Sequence, residues 1–255
     1  IRRMHPAIAP MIDRAAYIGG FDAVSCLVGA ETIGEKPMGT MPHALIILMG
    51  DVASAVKAFD KTMEPEVPRV ALIDTFCDEK TEALMAAEAL KGRLFGVRLD
   101  TPSSRRGNLA EIVREVRWEL DLRGYKNVKI LVSGGIEESK VPLLVEAGVD
   151  GFGVGTSLSN APTVNFALDI VEVEGKPVAK RGKLAGRKEV WRCRKCLTYL
   201  VTPAGSRRPT CPNCRGKMES MLKPLIVNGK LAGKLPKPSA IRQYVLSQLE
   251  RIEEI

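Results

Sequence analysis

His43 is one of only two histidines in the chain and follows Gly39-Thr40 and Pro42 at the edge of an apolar stretch. An imidazole there can hold or pass a proton near neutral pH. Asp74 closes the run ALID, where a carboxylate can hold that ring in one tautomer. Arg98 and Asp100 flank Leu99 in GVRLD, so in a strand they share one face. They serve either as chemistry-bearing charges or as a buried ion pair. Ser133-Gly134-Gly135 and Gly153-Val154-Gly155-Thr156 each follow another apolar run. Such turns aim backbone N–H groups at one point, and glycine lets the chain approach a phosphate closely. One His, two Asp, one Arg and two glycine turns suit a phosphorylated sugar and acid–base chemistry. Arg105-Arg106 is either a further phosphate clamp or a solvated loop.

These groups can meet only if their segments share one rim. GTMPHA (39–44), ALID (71–74), GVRLD (96–100), VSGG (132–135) and GFGVG (151–155) each read as the downstream end of a buried strand or the loop after it. In a parallel β/α barrel such ends open onto one face. The pattern agrees, because strand and helix alternate at short intervals from 69 to 155. RVALIDT, LFGVRLD (94–100), NVKILVSG (127–134) and DGFGVG read as strands. Helices are expected over 52–63 with Asp51 as cap, over 78–91 and over 137–147. Leu109, Ile112, Val113, Val116 and Leu120 mark one face of another helix, opened by Asn108 and ended by Gly124. Upstream, 6–18 reads as a helix stopped by Gly19-Gly20, FDAVS (21–25) as a short strand and LVGAETIG as a helical turn. MPHALIILMG (41–50) is ambiguous between helix and strand.

Beyond 165 the texture changes. Hairpins are expected at Glu174-Gly175 and at Asn228-Gly229. A final amphipathic helix over 239–253 would dock through Ile241, Val245, Leu249 and Ile252. The division is a β/α core over 1–165 and an antiparallel extension over 166–255. The extension holds Cys193-Arg-Lys-Cys196 and Cys211-Pro-Asn-Cys214, fourteen residues apart. Two such turns can place four thiolates around one Zn²⁺, in a knuckle over 190–219. Four thiolates leave no open position, so this zinc is expected to be structural.

Composition bounds the alternatives. The 255 residues are 45% hydrophobic and 27% charged, as in an ordinary globular protein. No apolar run reaches the roughly 18 residues of a membrane span, and no membrane partner is expected. The N-terminus IRRMHPAIAP has neither an apolar leader nor an initiator Met, so the chain reads as a piece or a trimmed product, and as cytoplasmic. Six cysteines, four of them in the paired turns, fit a reducing compartment. The net charge of +8 is concentrated in 175–237. Aromatic stacking residues are scarce there, so these cations are read as offsetting thiolate charge, with no nucleic-acid partner.

Several of these stretches are similar to a known family. Arg2-Arg3-Met4-His5-Pro6, Ala16-Tyr17-Ile18-Gly19-Gly20-Phe21-Asp22-Ala23-Val24-Ser25, Gly39-Thr40-Met41-Pro42-His43-Ala44 and Val97-Arg98-Leu99-Asp100-Thr101-Pro102-Ser103-Ser104 resemble nicotinate phosphoribosyltransferase, above all its archaeal-type members with a CxxC…CxxC knuckle. The resemblance implies an α/β fold, a distorted (β/α) barrel of the type II phosphoribosyltransferase kind, with an antiparallel C-terminal extension and a zinc-ribbon-like knuckle. It implies phosphoribosyl transfer from phosphoribosyl pyrophosphate to nicotinate, coupled to ATP hydrolysis through a phosphohistidine and assisted by Mg²⁺. It also implies a homo-oligomer, at least a dimer, and a family N-terminal domain missing before Arg2. By position, His43 would be the phosphorylated histidine and Asp74 would orient it. Arg98 and Arg2 would line the pyridine pocket, with Thr40 and Asp22 near the substrates. Asp100 would engage ribose hydroxyls or Mg²⁺. Ser133, Gly134, Gly135, Gly153, Gly155 and Thr156 would hold the 5′-phosphate. The alternatives are a quinolinate phosphoribosyltransferase and a zinc-ribbon nucleic-acid-binding protein.

Overall fold

The computed structural model describes residues 4–100 and 107–252. The chain forms two compact units, Ile1–Ala161 and Pro162–Ile255.

The first unit carries a four-stranded parallel sheet: β1 (Val70–Leu72), β2 (Gly96–Leu99), β3 (Lys129–Ser133) and β4 (Gly151–Gly153), in that spatial order. Its register aligns the strands' downstream ends, with Leu72 beside Arg98, Arg98 beside Leu131 and Ser133 beside Gly153. Helices α4 (Val52–Thr62), α5 (Glu79–Leu90), α6 (Leu109–Leu122) and α7 (Val141–Glu146) alternate with the strands. One continuous core joins Val97, Leu99, Ile130 and Val132 of the sheet to Val56 of α4, Ala86 and Leu90 of α5, and Val113, Val116 and Leu120 of α6. These strands are nearly continuous apolar runs because helices cover them.

Local chemistry sets the helix starts. Asp51 accepts the Ser54 N–H, Asp78 the Thr81 N–H and Asn108 the Ala110 N–H. Each satisfies one of the orphan donors of a first turn. The Thr81 N–H and hydroxyl hold the Asp78 carboxyl below the usual carboxylate range. The α6 periodicity is confirmed, with Val113, Val116 and Leu120 fully buried.

Upstream lie α1 (Ala9–Gly19), α2 (Leu27–Ile33) and α3 (His43–Met49). The α1 helix ends where Gly20 takes φ 118°. FDAVS is not a strand: 21–25 is loop, where the Phe21 N–H closes α1 on the Ala16 carbonyl and the Met38 N–H donates to the Val24 carbonyl. These bonds make no ladder. The ambiguous 41–50 run resolves as a helix, so GTMPHA leads into α3 rather than closing a strand. The helix expected over 137–147 begins as a 3-10 turn at Glu138–Lys140 before α7, and the four-residue α8 (Thr156–Ser159) follows β4.

The second unit is antiparallel. β5 (Glu172–Val173) pairs with β6 (Lys176–Pro177), turning at Glu174-Gly175, and β10 (Ile226–Val227) pairs with β11 (Lys230–Leu231), turning at Asn228-Gly229. Between them β7 (Lys188–Cys193) lies central to β8 (Tyr199–Pro203) and β9 (Met218–Ser220). The final helix α9 (Pro238–Leu249) is shorter than expected and buries no residue fully. Of its expected docking face, Ile241 and Val245 are half-buried, but Leu249 and Ile252 are exposed. No helix among the described residues is long and apolar enough to cross a membrane.

Candidate active site

The downstream ends of β1, β2 and β3 bring five side chains together. His43, the first residue of α3, places Nε2 3.7 Å from Asp74 Oδ1 and 3.7 Å from Asp100 Oδ2. Its Nδ1 lies 3.0 Å from Thr75 Oγ1. The imidazole is 36% exposed, whereas the Asp74 side chain is 2% exposed. Asp74 also fixes the neighbouring strand end, since the Asp100 N–H donates to its Oδ2 at 2.6 Å.

Arg98 and Asp100 share the face their spacing predicts. Arg98 Nη1 is 2.9 Å from Asp100 Oδ1 and donates to Ser133 Oγ at 2.9 Å, while Nη2 donates to the Met41 carbonyl at 3.2 Å. Ser133 Oγ in turn donates to Asp100 Oδ1 at 2.6 Å. The guanidinium therefore ties β2, β3 and the loop before α3 into one rim. Its Nε is buried and has no acceptor among the described residues. A buried N–H left in this state costs roughly 1–3 kcal/mol, so the site favours an acceptor there.

The glycine turns divide. A Cβ at Gly134 would overlap the Asp100 carbonyl, and one at Gly153 would come 2.9 Å from the Ser133 Cβ. Those two glycines are required by close strand-end packing. Gly135 differs, because it is exposed, has φ 72° and has open space where a Cβ would be. Ser157 Oγ donates to the Ile136 carbonyl at 2.6 Å, which joins the two turns. Gly155 precedes Thr156, the exposed first residue of α8. Thr40 is half-buried in the loop before α3, and Asp22 is exposed in the loop after α1. Arg2, Arg105 and Arg106 lie outside the described residues.

Two residues of this rim escaped the sequence reading. Thr75 touches His43 directly. Glu82, 2% exposed in the first turn of α5, accepts the N–H groups of Thr75 (2.9 Å), Phe76 (2.8 Å) and Cys77 (3.1 Å). A Glu in an Ala- and Glu-rich helix gives no local sign of such a role.

The second unit carries the knuckle. Its four sulfurs all lie within 4.8 Å of one another, and the set could hold a metal ion such as zinc. Leu197 and Arg215, each just after a CxxC turn, take φ 58° and 56°. A Cβ at Gly216 would press within 3.2 Å of the sulfurs of Cys193 and Cys214. The Thr198 hydroxyl pulls the Cys196 thiol down to about 6. For Cys214 the Gly216 N–H acts downward, but hydrogen bonding with the Cys196 and Cys193 sulfurs prevails and pushes it up to about 12. Sulfurs that share protons in this way are ready to exchange them for a cation.

Comparison with known proteins gives the family. The profile of the quinolinate phosphoribosyl transferase C-terminal domain matches residues 1–169. The chain belongs to this family. Within it, the chain is homologous to proteins named nicotinate phosphoribosyltransferase. The pncB1 protein of Mycobacterium tuberculosis is 34% identical over 220 residues, covering 80% of this chain and 48% of its own. The Bacillus subtilis nicotinate phosphoribosyltransferase is 31% identical over 209 residues, covering 75% of this chain and 42% of its own. The chain thus spans about half the length of these curated relatives. The crystal structure of nicotinate-nucleotide pyrophosphorylase from Pyrococcus furiosus superposes with a TM-score of 0.95 at 60% identity, covering 100% of this chain and 65% of that one. Human nicotinic acid phosphoribosyltransferase, at 19% identity and a TM-score of 0.66, shares the fold.

Proposed function

We propose that this chain is the catalytic part of a nicotinate phosphoribosyltransferase. The enzyme would transfer phosphoribosyl from phosphoribosyl pyrophosphate to nicotinate, giving nicotinate mononucleotide and pyrophosphate in NAD biosynthesis. The observation that carries the reading is the joined rim of His43, Asp74, Arg98, Asp100 and Ser133. The names of the relatives support it. On this reading the four parallel strands belong to a distorted (β/α) barrel of the type II phosphoribosyltransferase kind. The enzyme is cytoplasmic and a homo-oligomer of at least two chains.

Displacing pyrophosphate at the ribose C1 builds oxocarbenium character, as in glycoside cleavage. The protein need do little covalent chemistry at that carbon. It must align the ring nitrogen and neutralise the leaving group. Asp100, partly exposed beside the imidazole, suits ribose hydroxyls or Mg²⁺ on the pyrophosphate. Gly135, Gly155 and Thr156 would present N–H groups to the 5′-phosphate, with Gly134, Gly153 and Ser133 holding that wall in place. The orphaned Arg98 Nε–H suits the nicotinate carboxylate. Arg2, Thr40 and Asp22 would complete the pocket from upstream. ATP would phosphorylate His43 and so change the affinity for substrate or product.

The runner-up is the decarboxylating quinolinate enzyme, whose name the matching family carries. It needs more cations for two ring carboxylates, and the described rim supplies one guanidinium. The third reading, a nucleic-acid-binding ribbon, leaves the His43 rim without a use. The deciding experiment offers labelled nicotinate, quinolinate and nicotinamide with phosphoribosyl pyrophosphate, Mg²⁺ and ATP. Nicotinate mononucleotide from nicotinate alone is expected, and turnover of quinolinate with release of CO₂ would overturn the reading. His43→Ala should keep the fold yet lose ATP-coupled stimulation and acid-labile labelling from γ-labelled ATP. Unchanged coupling would remove His43 from the mechanism.

A further inference from the structure

We propose that Glu82 is a positioning residue that sets the tautomer of His43 through the β1–α5 loop. Its carboxylate gathers the N–H groups of Thr75, Phe76 and Cys77. That fixes the backbone of Thr75, whose hydroxyl lies 3.0 Å from His43 Nδ1.

The tautomer follows from the charges around the ring. A neutral imidazole has one donor nitrogen and one acceptor nitrogen. Nε2 faces carboxylate oxygens from two strand ends, Asp74 and Asp100, each at 3.7 Å. A lone pair there would point at negative charge, whereas an N–H would point at two acceptors. The proton therefore belongs on Nε2, and Nδ1 accepts the Thr75 hydroxyl. Arg98, the one cation among the described residues of this rim, is turned toward Asp100 and Ser133 rather than toward the ring.

A carboxylate at position 82, rather than an amide, is what this task needs. Burying a carboxylate is costly unless it is well hydrogen-bonded, and here three backbone donors use both oxygens. A glutamine would turn its NH₂ toward one or two of those donors and release part of the loop. The catalytic meaning of the tautomer rests on the reading of His43 given above; the tautomer itself does not.

The test uses the 255-residue chain with ¹⁵N-labelled histidine. Only His5 and His43 contribute, so long-range ¹⁵N–¹H spectra are readable, and His43→Asn assigns the two. Wild-type His43 is expected as the Nε2–H form. Thr75→Val and Glu82→Gln should each raise the Nδ1–H population roughly tenfold, the worth of one ordinary hydrogen bond. Thr75→Ser should restore the wild-type spectrum. If Glu82→Gln does not fold, Glu82→Asp, which keeps the charge but shortens the reach, is read in its place. A wild-type Nδ1–H form would overturn the proposal. So would a shift in Thr75→Val with none in the Glu82 variants, because Glu82 would then only support the loop. Activity separates the two readings: if His43 is not the phosphorylated residue, ATP coupling survives in His43→Ala whatever the tautomer.

Discussion

Arg98 does two things that a substitution can separate. Its head groups bind Asp100, Ser133 and the Met41 carbonyl, and its buried Nε awaits an acceptor. A lysine keeps the charge but not the planar fork. Arg98→Lys should therefore retain the pairing with Asp100 and lose the rest. We expect stability to fall by about 1–2 kcal/mol, in line with two lost hydrogen bonds. We also expect KM for nicotinate to rise at least about tenfold with a smaller change in kcat, the pattern of lost substrate binding. Urea unfolding and steady-state kinetics on the same preparation check both. A stability loss with unchanged KM would confine Arg98 to the scaffold. That His43, Asp74, Arg98 and Asp100 share one rim was legible in the sequence because charged or titratable side chains bound apolar runs. Thr75 and Glu82 were not, because a threonine after a strand and a glutamate on a helix have many commoner uses. Their roles arise only when the loop folds back onto the helix that follows it.

The elements were easiest to read where the pattern is local and hardest where a side chain acts at a distance. The α6 face and the Asp51 cap depend on neighbours three or four residues away, so spacing reveals them. The apolar stretch 41–50 carries no helix or strand period, and it folds as α3, packed against α4. Arg69 shows the same limit. It opens the RVALIDT stretch with no sign of a role of its own, yet it is 8% exposed. Its guanidinium reaches Asp60 Oδ1 at 2.9 Å and the carbonyls of Asp60, Met63, Glu64 and Val67. One side chain thus closes the end of α4 and the turn into β1, the strand that delivers Asp74. Arg69→Met keeps most of the volume but leaves those carbonyls without their donor and the Asp60 carboxylate with Arg93 alone. A loss of about 3 kcal/mol is expected, the usual cost of removing one partner of a buried pair. It should appear as a lower urea midpoint with an unchanged slope. A loss under about 0.5 kcal/mol, typical of surface changes, would show that water replaces the guanidinium.

At the scale of the molecule, each unit has a core of its own kind. The first unit is held by a large apolar cluster between sheet and helices. The knuckle's apolar core is only Cys193, Cys211 and Met218, with Trp191 and Leu200 packed beside them. A core that small rarely stabilises a fold alone, and a structural metal is the usual remedy. The last helix shares in this arrangement. Arg192 Nη2 donates to Tyr244 Oη on α9 at 2.5 Å, its guanidinium lies 5.7 Å from the Tyr244 ring centroid, and Arg251 donates to the Arg194 carbonyl. Arg192 and Arg194 flank Cys193 of the sulfur cluster, so the knuckle and α9 should order together. We expect one zinc per chain by elemental analysis. Stripping it with a strong chelator at pH 5, where protons compete for the thiolates, should remove amide protection across β7, β8, β9 and α9 in hydrogen exchange. The amides of β1, β2 and β3 should keep theirs. Full protection of β7–β9 without metal would show that the sulfur cluster is not what holds this unit. Loss in α9 should be matched by Tyr244→Ala in the metal-bound chain, since both changes remove the same Arg192 contact.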